Sequence, residues 1–191
     1  MEDMVKGRIV KEAAELFHTK GYRSVTLSEL AARLGMSKKT LYLYFSGKEE
    51  IAEAVLGLTM NAIAGSITEQ LKREDDPLGV LRKTFYGIKG ELVKLHPIFL
   101  EDIQKFAPGL WERLEQFRAR QLVFIEELLT RAKQAGQIRD VHPRLVAAMM
   151  MDSIQRMVRP DFAAKHGVAI PEVADTLFLL FLEGLRANRK P

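Results

Sequence analysis

The sequence contains no cysteine among its 191 residues. This absence excludes disulfide frameworks, Cys-ligated zinc, iron–sulfur clusters and thiol nucleophiles, and it is compatible with a reducing cytoplasm, where we expect the chain to reside. No run of about 18 apolar residues is present, so we expect no membrane span. The first residues mix acidic and basic side chains and lack the apolar run of a signal peptide.

The motifs of common enzyme classes are also missing. There is no phosphate-binding loop and no Gly-x-Ser-x-Gly sequence. The four histidines share no metal-ligand spacing; they are His18, His96, His142 and His166. We therefore expect a protein that is not an enzyme, with no catalytic residues, no metal and no cofactor.

Stretches of alternating β-branched residues, which are typical of strands, do not occur either. Apolar residues instead recur at spacings of three and four, which predicts an all-α chain. Proline suits the first turn of a helix, because its missing N–H needs no partner there. We predict helices over 3–19, 27–34, 38–44, 47–72, 77–94, 98–106, 109–135, 143–158, 160–166 and 171–187. Six of these start near a proline: Pro77, Pro97, Pro108, Pro143, Pro160 and Pro171.

One short segment near the N-terminus has the pattern of a helix-turn-helix. Thr26 and Glu29 have the spacing of a capping box, which predicts the start of a short helix. Gly35 permits a tight turn, and Ser37 is suited to cap the next helix. A helix, a turn of three to four residues and a second helix form a helix-turn-helix. The second helix, 38–44, would place its first residues at base edges in the major groove of DNA.

The start of the following long helix repeats this pattern. Ser46 and Glu49 form a second possible capping box, and Lys48 adds a cation beside the free backbone amides. The first turn of a helix is a ready site for a phosphate oxygen. Taken singly, each of these features is more often an ordinary cap; their combination within thirty residues favours DNA.

Charge is concentrated in the same part of the chain, residues 20–48, which we call the helix-turn-helix segment. It has six basic residues and one acidic residue, a net charge of +5, whereas the other 162 residues have 23 basic and 24 acidic residues, a net charge of −1. Neutralisation of phosphates requires such a basic surface. Tyr42 and Tyr44 are candidate DNA contacts, Tyr42 through its hydroxyl and ring. Leu41 and Phe45 are expected in the core, and Leu43 is ambiguous.

The first fifty residues resemble the N-terminal module of the tetracycline-repressor (TetR) family. The resemblance is carried by Ile9, Ala13-Ala14-Glu15-Leu16-Phe17, Gly21-Tyr22, Thr26, Leu30-Ala31, Leu34-Gly35-Met36-Ser37, Leu41-Tyr42-Leu43-Tyr44-Phe45 and Lys48-Glu49. It implies an all-α homodimer that binds a palindromic operator. It also implies a small effector that binds in a second helical module and changes the spacing of the two DNA-binding modules through the long helix between them.

The resemblance also implies roles for single residues. It matches Thr26, Tyr42 and Lys48 to phosphate-contacting positions. It matches Ser37, Lys38, Lys39 and Thr40 to the start of the helix that enters the groove. Many family members have serine directly before the Lys-Glu pair, where this sequence has Gly47.

The rest of the chain has no motif, so its roles rest on the family architecture and on apolar patterns. We expect a DNA-binding domain over 1–47 and a domain for ligand binding and dimerisation over 48–191. The last predicted helix is apolar around most of its circumference, which favours a partner subunit. Candidate dimer contacts are Met151, Ile154, Phe178, Phe181 and Leu185. Candidates for the wall of a largely apolar effector pocket are Leu58, Phe85, Phe99, Ile103, Phe106, Trp111, Phe124 and Met150.

The leading interpretation is therefore a cytoplasmic, ligand-responsive transcriptional regulator, acting as a repressor released by its effector. One alternative is an architectural or nucleoid DNA-binding protein on the same fold without an effector. Another is a helical enzyme or carrier with a vestigial helix-turn-helix, against which the concentrated basic charge argues. A cavity in the second module would distinguish the first two.

Overall fold

A computed structural model describes residues 2–73, 76–92, 94 and 96–187. The predicted all-α class is confirmed: the described residues contain ten helices, one isolated antiparallel bridge between Ile138 and Arg186, and no strand. The helices are α1 (Glu2–Ser24), α2 (Leu27–Arg33), α3 (Lys38–Tyr42), α4 (Lys48–Arg73), α5 (Pro77–Leu92), α6 (Pro97–Phe106), α7 (Pro108–Gln134), α8 (Pro143–Met157), α9 (Pro160–His166) and α10 (Ile170–Leu185).

Proline marks the helix starts as predicted. Helices α5 to α9 each begin at a proline, and α10 begins one residue before Pro171. Two bounds differ from the prediction in ways that matter for the site. Helix α1 continues to Ser24 instead of ending at 19, although Gly21 interrupts it with φ 77° and ψ 166°. Helix α3 ends at Tyr42, so Tyr44 lies beyond it.

The chain divides into two compact units. Unit 1 spans Met1–Asn61 and Lys94–Glu115, and unit 2 spans Ala62–Val93 and Gln116–Pro191. Unit 1 thus includes α6 and parts of α4 and α7, which the expected boundary between residues 47 and 48 assigns to the second domain. The physical reason is that α6 packs against α1.

The core of unit 1 forms where α1 meets α6. Ile9, Ala13 and Phe17 recur at helical spacing on α1 and are at most 1% exposed. Phe99 and Ile103 of α6 join the same cluster, and the rings of Phe17 and Phe99 stack with centroids 5.5 Å apart. Burial of these side chains fixes α6 to the helix that precedes the helix-turn-helix.

The core of unit 2 is built around α10, which packs against α5, α8 and α9. Phe178 is 1% exposed and its ring stacks on that of Phe85. Lys89 Nζ and Asp175 Oδ1, 2.8 Å apart, add an ion pair between α5 and α10. The apolar circumference of α10 therefore has one face buried within its own unit.

Helix α4 is the one helix among the described residues that is long and apolar enough to cross a membrane, by length and composition alone. It begins at Lys48 and ends at Arg73. Its residues Ile51, Ala52 and Leu56 lie in the core of unit 1 with at most 1% exposure. The N-terminal part of α4 therefore packs into the core of unit 1.

Candidate nucleic-acid interface

One of the two hydrogen bonds of the capping box predicted at the start of α2 is present. The backbone N–H of Glu29 donates to Thr26 Oγ1 over 3.1 Å. The carboxylate of Glu29 accepts a hydrogen bond from Lys20, which is the main cause of its lowered pKa, and the nearby backbone of Thr26 acts in the same direction. Thr26 is therefore fixed at the start of α2, where it is exposed to solvent.

The turn between α2 and α3 is built as its sequence predicts. Gly35 has φ 66°, a left-handed conformation that suits glycine. The N–H of Met36 donates to the carbonyl of Ala31 over 3.0 Å, which closes the end of α2. Ser37 Oγ then accepts the N–H of Thr40 over 3.0 Å and caps α3.

Helix α3 presents one face to solvent and one to the core. Leu41 is 2% exposed and anchors the helix in unit 1. Ser37, Lys38 and Lys39 are exposed, Tyr42 is 52% exposed, and Thr40 is half-buried. The predicted contacts at the start of α3 therefore share one accessible surface.

Two residues next to Tyr42 differ from it in position or in chemistry. Tyr44 lies beyond the end of α3 and is half-buried against the unit 1 core, so it is less accessible than Tyr42. Leu43, which the sequence left ambiguous, is 74% exposed. An exposed leucine beside Tyr42 is an apolar group of the kind that contacts a thymine methyl.

The basic residues of the helix-turn-helix segment fall into two groups. Arg33 is paired with two carboxylates of α1, its Nε 2.7 Å from Glu12 Oε2 and its Nη2 2.8 Å from Glu15 Oε2. Lys20 is paired with Glu29. No such partner occurs for Lys38 or Lys39 within the part of the chain that the structure describes. The net charge of +5 thus overstates the charge available to a ligand.

Lys48 has an internal role. Its Nζ donates to the carbonyls of Tyr22, Arg23 and Val25 over 3.0, 3.3 and 3.0 Å, and it lies 4.5 Å from the centre of the Tyr22 ring. Burial lowers the pKa of Lys48, while the charge of Asp102 acts in the opposite direction. An ammonium group has three N–H donors, and in this conformation all three are directed at backbone carbonyls.

The cap at the start of α4 uses a different acid from the one predicted. Glu50, not Glu49, accepts the backbone N–H and the hydroxyl of Ser46 over 2.6 and 2.8 Å. Ile51 N–H donates to the carbonyl of Gly47 over 3.3 Å. These hydrogen bonds lower the pKa of Glu50.

The candidate effector residues do not share one surface. Five of the eight lie in unit 1, where Phe99 and Ile103 are core residues, Trp111 packs against that core, and Leu58 and Phe106 are exposed. The spacing of Phe99 and Ile103 on α6 corresponds to packing against α1. Phe85, Phe124 and Met150 belong to the unit 2 cluster or pack against it.

The candidate dimer residues divide in the same way. Phe178 and Leu185 are 1% and 5% exposed and lie in the unit 2 core. Met151, Ile154 and Phe181 are half-buried. The apolar residues that α8 and α10 expose are Leu145, Met149, Leu179 and Leu180. Helical spacing alone did not separate these two faces, because α10 is apolar on both.

The geometry described here matches a known family. The profile described as "Bacterial regulatory proteins, tetR family" matches residues 9–55, from within α1 into α4. The uncharacterized HTH-type transcriptional regulator YvaF of Bacillus subtilis (strain 168) is 29% identical over 189 residues, 96% of each chain. The Fatty acid metabolism regulator protein of the same bacterium is 23% identical over 156 residues, 79% of this chain and 80% of its own.

A solved structure extends the match to the whole fold. The crystal structure of the TetR family transcriptional regulator PfmR from Thermus thermophilus aligns with a TM-score of 0.76 and 26% identity, over 96% of this chain and 100% of its own. The fold and the helix-turn-helix define a DNA-binding transcriptional regulator, and its relatives are regulators, not enzymes. The chain is therefore similar to TetR-family regulators, in its N-terminal motif and over its whole fold. Members of the family bind operator DNA, usually as dimers, and small-molecule effectors.

Proposed function

We propose that this chain is a homodimeric repressor that reads a palindromic operator with the exposed face of α3 and is released by a small, largely apolar effector. The observation that carries the proposal is the surface formed by Ser37, Lys38, Lys39 and Tyr42. It combines the start of a helix, two lysines without an ion-pair partner among the described residues and an exposed aromatic ring. Cations and hydroxyls of this kind bind phosphates and place a helix in the major groove.

Leu43 adds a residue that can read sequence. Its side chain is exposed directly after Tyr42 and has no polar atom, so a thymine methyl is the group it fits in the groove. Thr26 lies at the exposed start of α2, where it is suited to contact a phosphate. The proposed interface thus combines contacts that position the protein with one that discriminates between bases.

A second copy of the chain is the partner that a palindromic operator requires. Leu145 and Met149 are exposed on α8, and Leu179 and Leu180 are exposed on α10, the helix that packs beside it in unit 2. An apolar face on two adjacent helices is typical of a subunit interface. We propose that these four residues, with half-buried Met151, Ile154 and Phe181, form the dimer contact.

The effector assignment is supported by the interior of unit 2. Its buried side chains are apolar and include Phe85 and Met150. Next to Phe85, Thr84 Oγ1 is buried without a hydrogen-bond partner in the described part of the chain. Burial of an unpaired hydroxyl is costly, and a polar group of a bound molecule would remove that cost. A relative named for fatty acid metabolism agrees with an apolar effector. Because operator DNA lies in the cytoplasm of a bacterium, we place the protein there.

Substitution of Tyr42 tests the DNA-binding face. Duplexes are first selected from a random pool by the wild-type protein, and affinity is then measured by titration at several salt concentrations. Tyr42→Ala should weaken binding by about 1–3 kcal/mol without unfolding the protein. Tyr86, which is also 52% exposed but lies on α5, provides the matched control Tyr86→Ala. Equal affinity of both variants, or binding that does not weaken with salt, would contradict the proposal.

A further inference from the structure

Helix α6 contacts the end of α1 along one of its faces. His96, Phe99 and Phe106 lie at helical spacing and each meets a residue near that end. The ring of His96 is 5.7 Å from that of His18, and the ring of Phe99 is 5.5 Å from that of Phe17. The ring of Phe106 lies 4.8 Å below Arg23 Cζ. The α1 residues contacted in this way lie between Phe17 and Arg23, in the part of the chain that leads to Thr26.

Asp102 lies on the same face of α6 and bonds the backbone itself. Its Oδ2 accepts the N–H of Arg23 over 2.8 Å. Two residues earlier, Gly21 has φ 77°, and a Cβ placed on it would lie 2.4 Å from Asp102 Oδ2 and 2.7 Å from Ile98 Cγ2. Glycine is required here both by the backbone conformation and by the close approach of α6.

Lys48 bonds the carbonyl groups of the same segment, whereas Asp102 bonds an N–H group. Asp102 accepts an N–H of residues 21–25, while Lys48 donates to three of their carbonyls. The segment that leads into α2 is therefore held by one carboxylate from α6 and one ammonium from α4. Hydrogen bonds with an ionised donor or acceptor are stronger than those between neutral groups, so both side chains restrict the conformation of this segment.

We propose that Asp102 is a positioning residue for DNA binding: its carboxylate sets the conformation of residues 21–25 and, through them, the orientation of α2 and α3. This inference rests on the proposed DNA-binding function. Asp102 lies in α6, outside the 9–55 region that the family profile covers. A movement of α6 is passed to the helix-turn-helix through a hydrogen bond as well as through packing.

The test compares three variants on DNA selected by the wild-type protein. Asp102→Ala removes the acceptor and should weaken binding about tenfold, the loss expected for one charge-assisted hydrogen bond. Asp102→Asn retains an acceptor oxygen and should restore affinity to within about threefold of wild type. Asp140→Ala, which removes an exposed carboxylate from the segment between α7 and α8, should bind as wild type does.

Hydrogen exchange supplies a readout that general loss of stability does not move. In Asp102→Ala the peptide covering residues 17–26 should exchange faster, while peptides from α8 and α10 keep their wild-type rates. Should this variant fail to fold, Asp102→Ser takes its place, because its shorter hydroxyl does not reach the Arg23 amide.

The possible failures separate the two proposals. A wild-type protein that binds no selected duplex overturns the DNA-binding function and this inference together. Wild-type affinity in folded Asp102→Ala overturns only the role of Asp102. Equal weakening in Asp102→Ala and Asp102→Asn, or failure of both Asp102→Ala and Asp102→Ser to fold, shows a structural role alone and also overturns it.

Discussion

The two units differ in how the sequence specifies their surfaces. In unit 1, caps and a glycine turn fix α2 and α3 so closely that buried Leu41 and exposed Tyr42 follow from the motif. In unit 2, α10 is apolar on both faces, with Phe178 buried and Leu180 exposed. Local backbone signals therefore indicate which way Leu41 and Tyr42 face, whereas the apolar periodicity of α10 indicates only that a helix forms.

The largest effect should appear in unit 2, where the two faces of α10 can be separated. Phe178→Ala should lower the free energy of unfolding by about 3–5 kcal/mol, because it leaves a cavity beside Phe85. Leu180→Ala should instead weaken self-association with little effect on the fold of a subunit. Urea unfolding and sedimentation velocity measure the two quantities. Unchanged self-association in Leu180→Ala would show that the exposed face of α10 is not the subunit interface.

A smaller effect should distinguish the two groups of basic residues in unit 1. Lys48→Met should lower the free energy of unfolding by about 1–3 kcal/mol, because three carbonyls lose their donor. Lys38→Met is the matched control: we expect stability within about 0.5 kcal/mol of wild type. It should, however, reduce the dependence of log affinity on log salt by about one. Destabilisation by Lys38→Met would contradict the division into internal and available cations.

The smallest effect concerns pH at the contact between α1 and α6. Burial, and then the neighbouring His96, lower the pKa of His18 below its usual 6.5, while a hydrogen bond with the backbone of Lys94 opposes them. The unfolded chain therefore binds this proton more readily, so stability present above pH 6.5 is lost as the pH falls below it. Urea unfolding of wild type and His18→Gln from pH 7.5 to 5.5 should show a shallower decline in the variant. The control is His166→Gln on α9, and an identical decline in all three proteins would rule out this role for His18.

Much of unit 1 could be predicted from the sequence, because its signals are local. Thr26, Gly35 and Ser37 act within three or four residues of themselves, and each has the predicted role. The contacts of Lys48 and Asp102 could not be predicted, since they join residues 23 to 79 positions apart. A lysine at the start of a helix suggests a phosphate contact. Only the structure shows that carbonyls of residues 22, 23 and 25 accept hydrogen bonds from Lys48.

The packing partners of the candidate effector and dimer residues could not be predicted from the sequence either. Phe99 and Ile103 have the spacing of a pocket wall, but α6 packs against α1 and turns them into the unit 1 core. No local feature of α6 reveals that packing partner. The exposure of Leu145 and Met149 could not be predicted either, because an exposed leucine or methionine on an amphipathic helix has the same spacing as a buried one.

The contacts of Lys48 also define a loop in the chain. Its ammonium joins residue 48 to a carbonyl 26 positions earlier, so α2 and α3 form an excursion whose two ends are tied together. Closing a loop restricts the chain between its ends, which is how a disulfide acts on the segment it encloses. In a protein without cysteine, these hydrogen bonds from the Lys48 ammonium act as a reversible counterpart of a cross-link. They join the two ends of the helix-turn-helix.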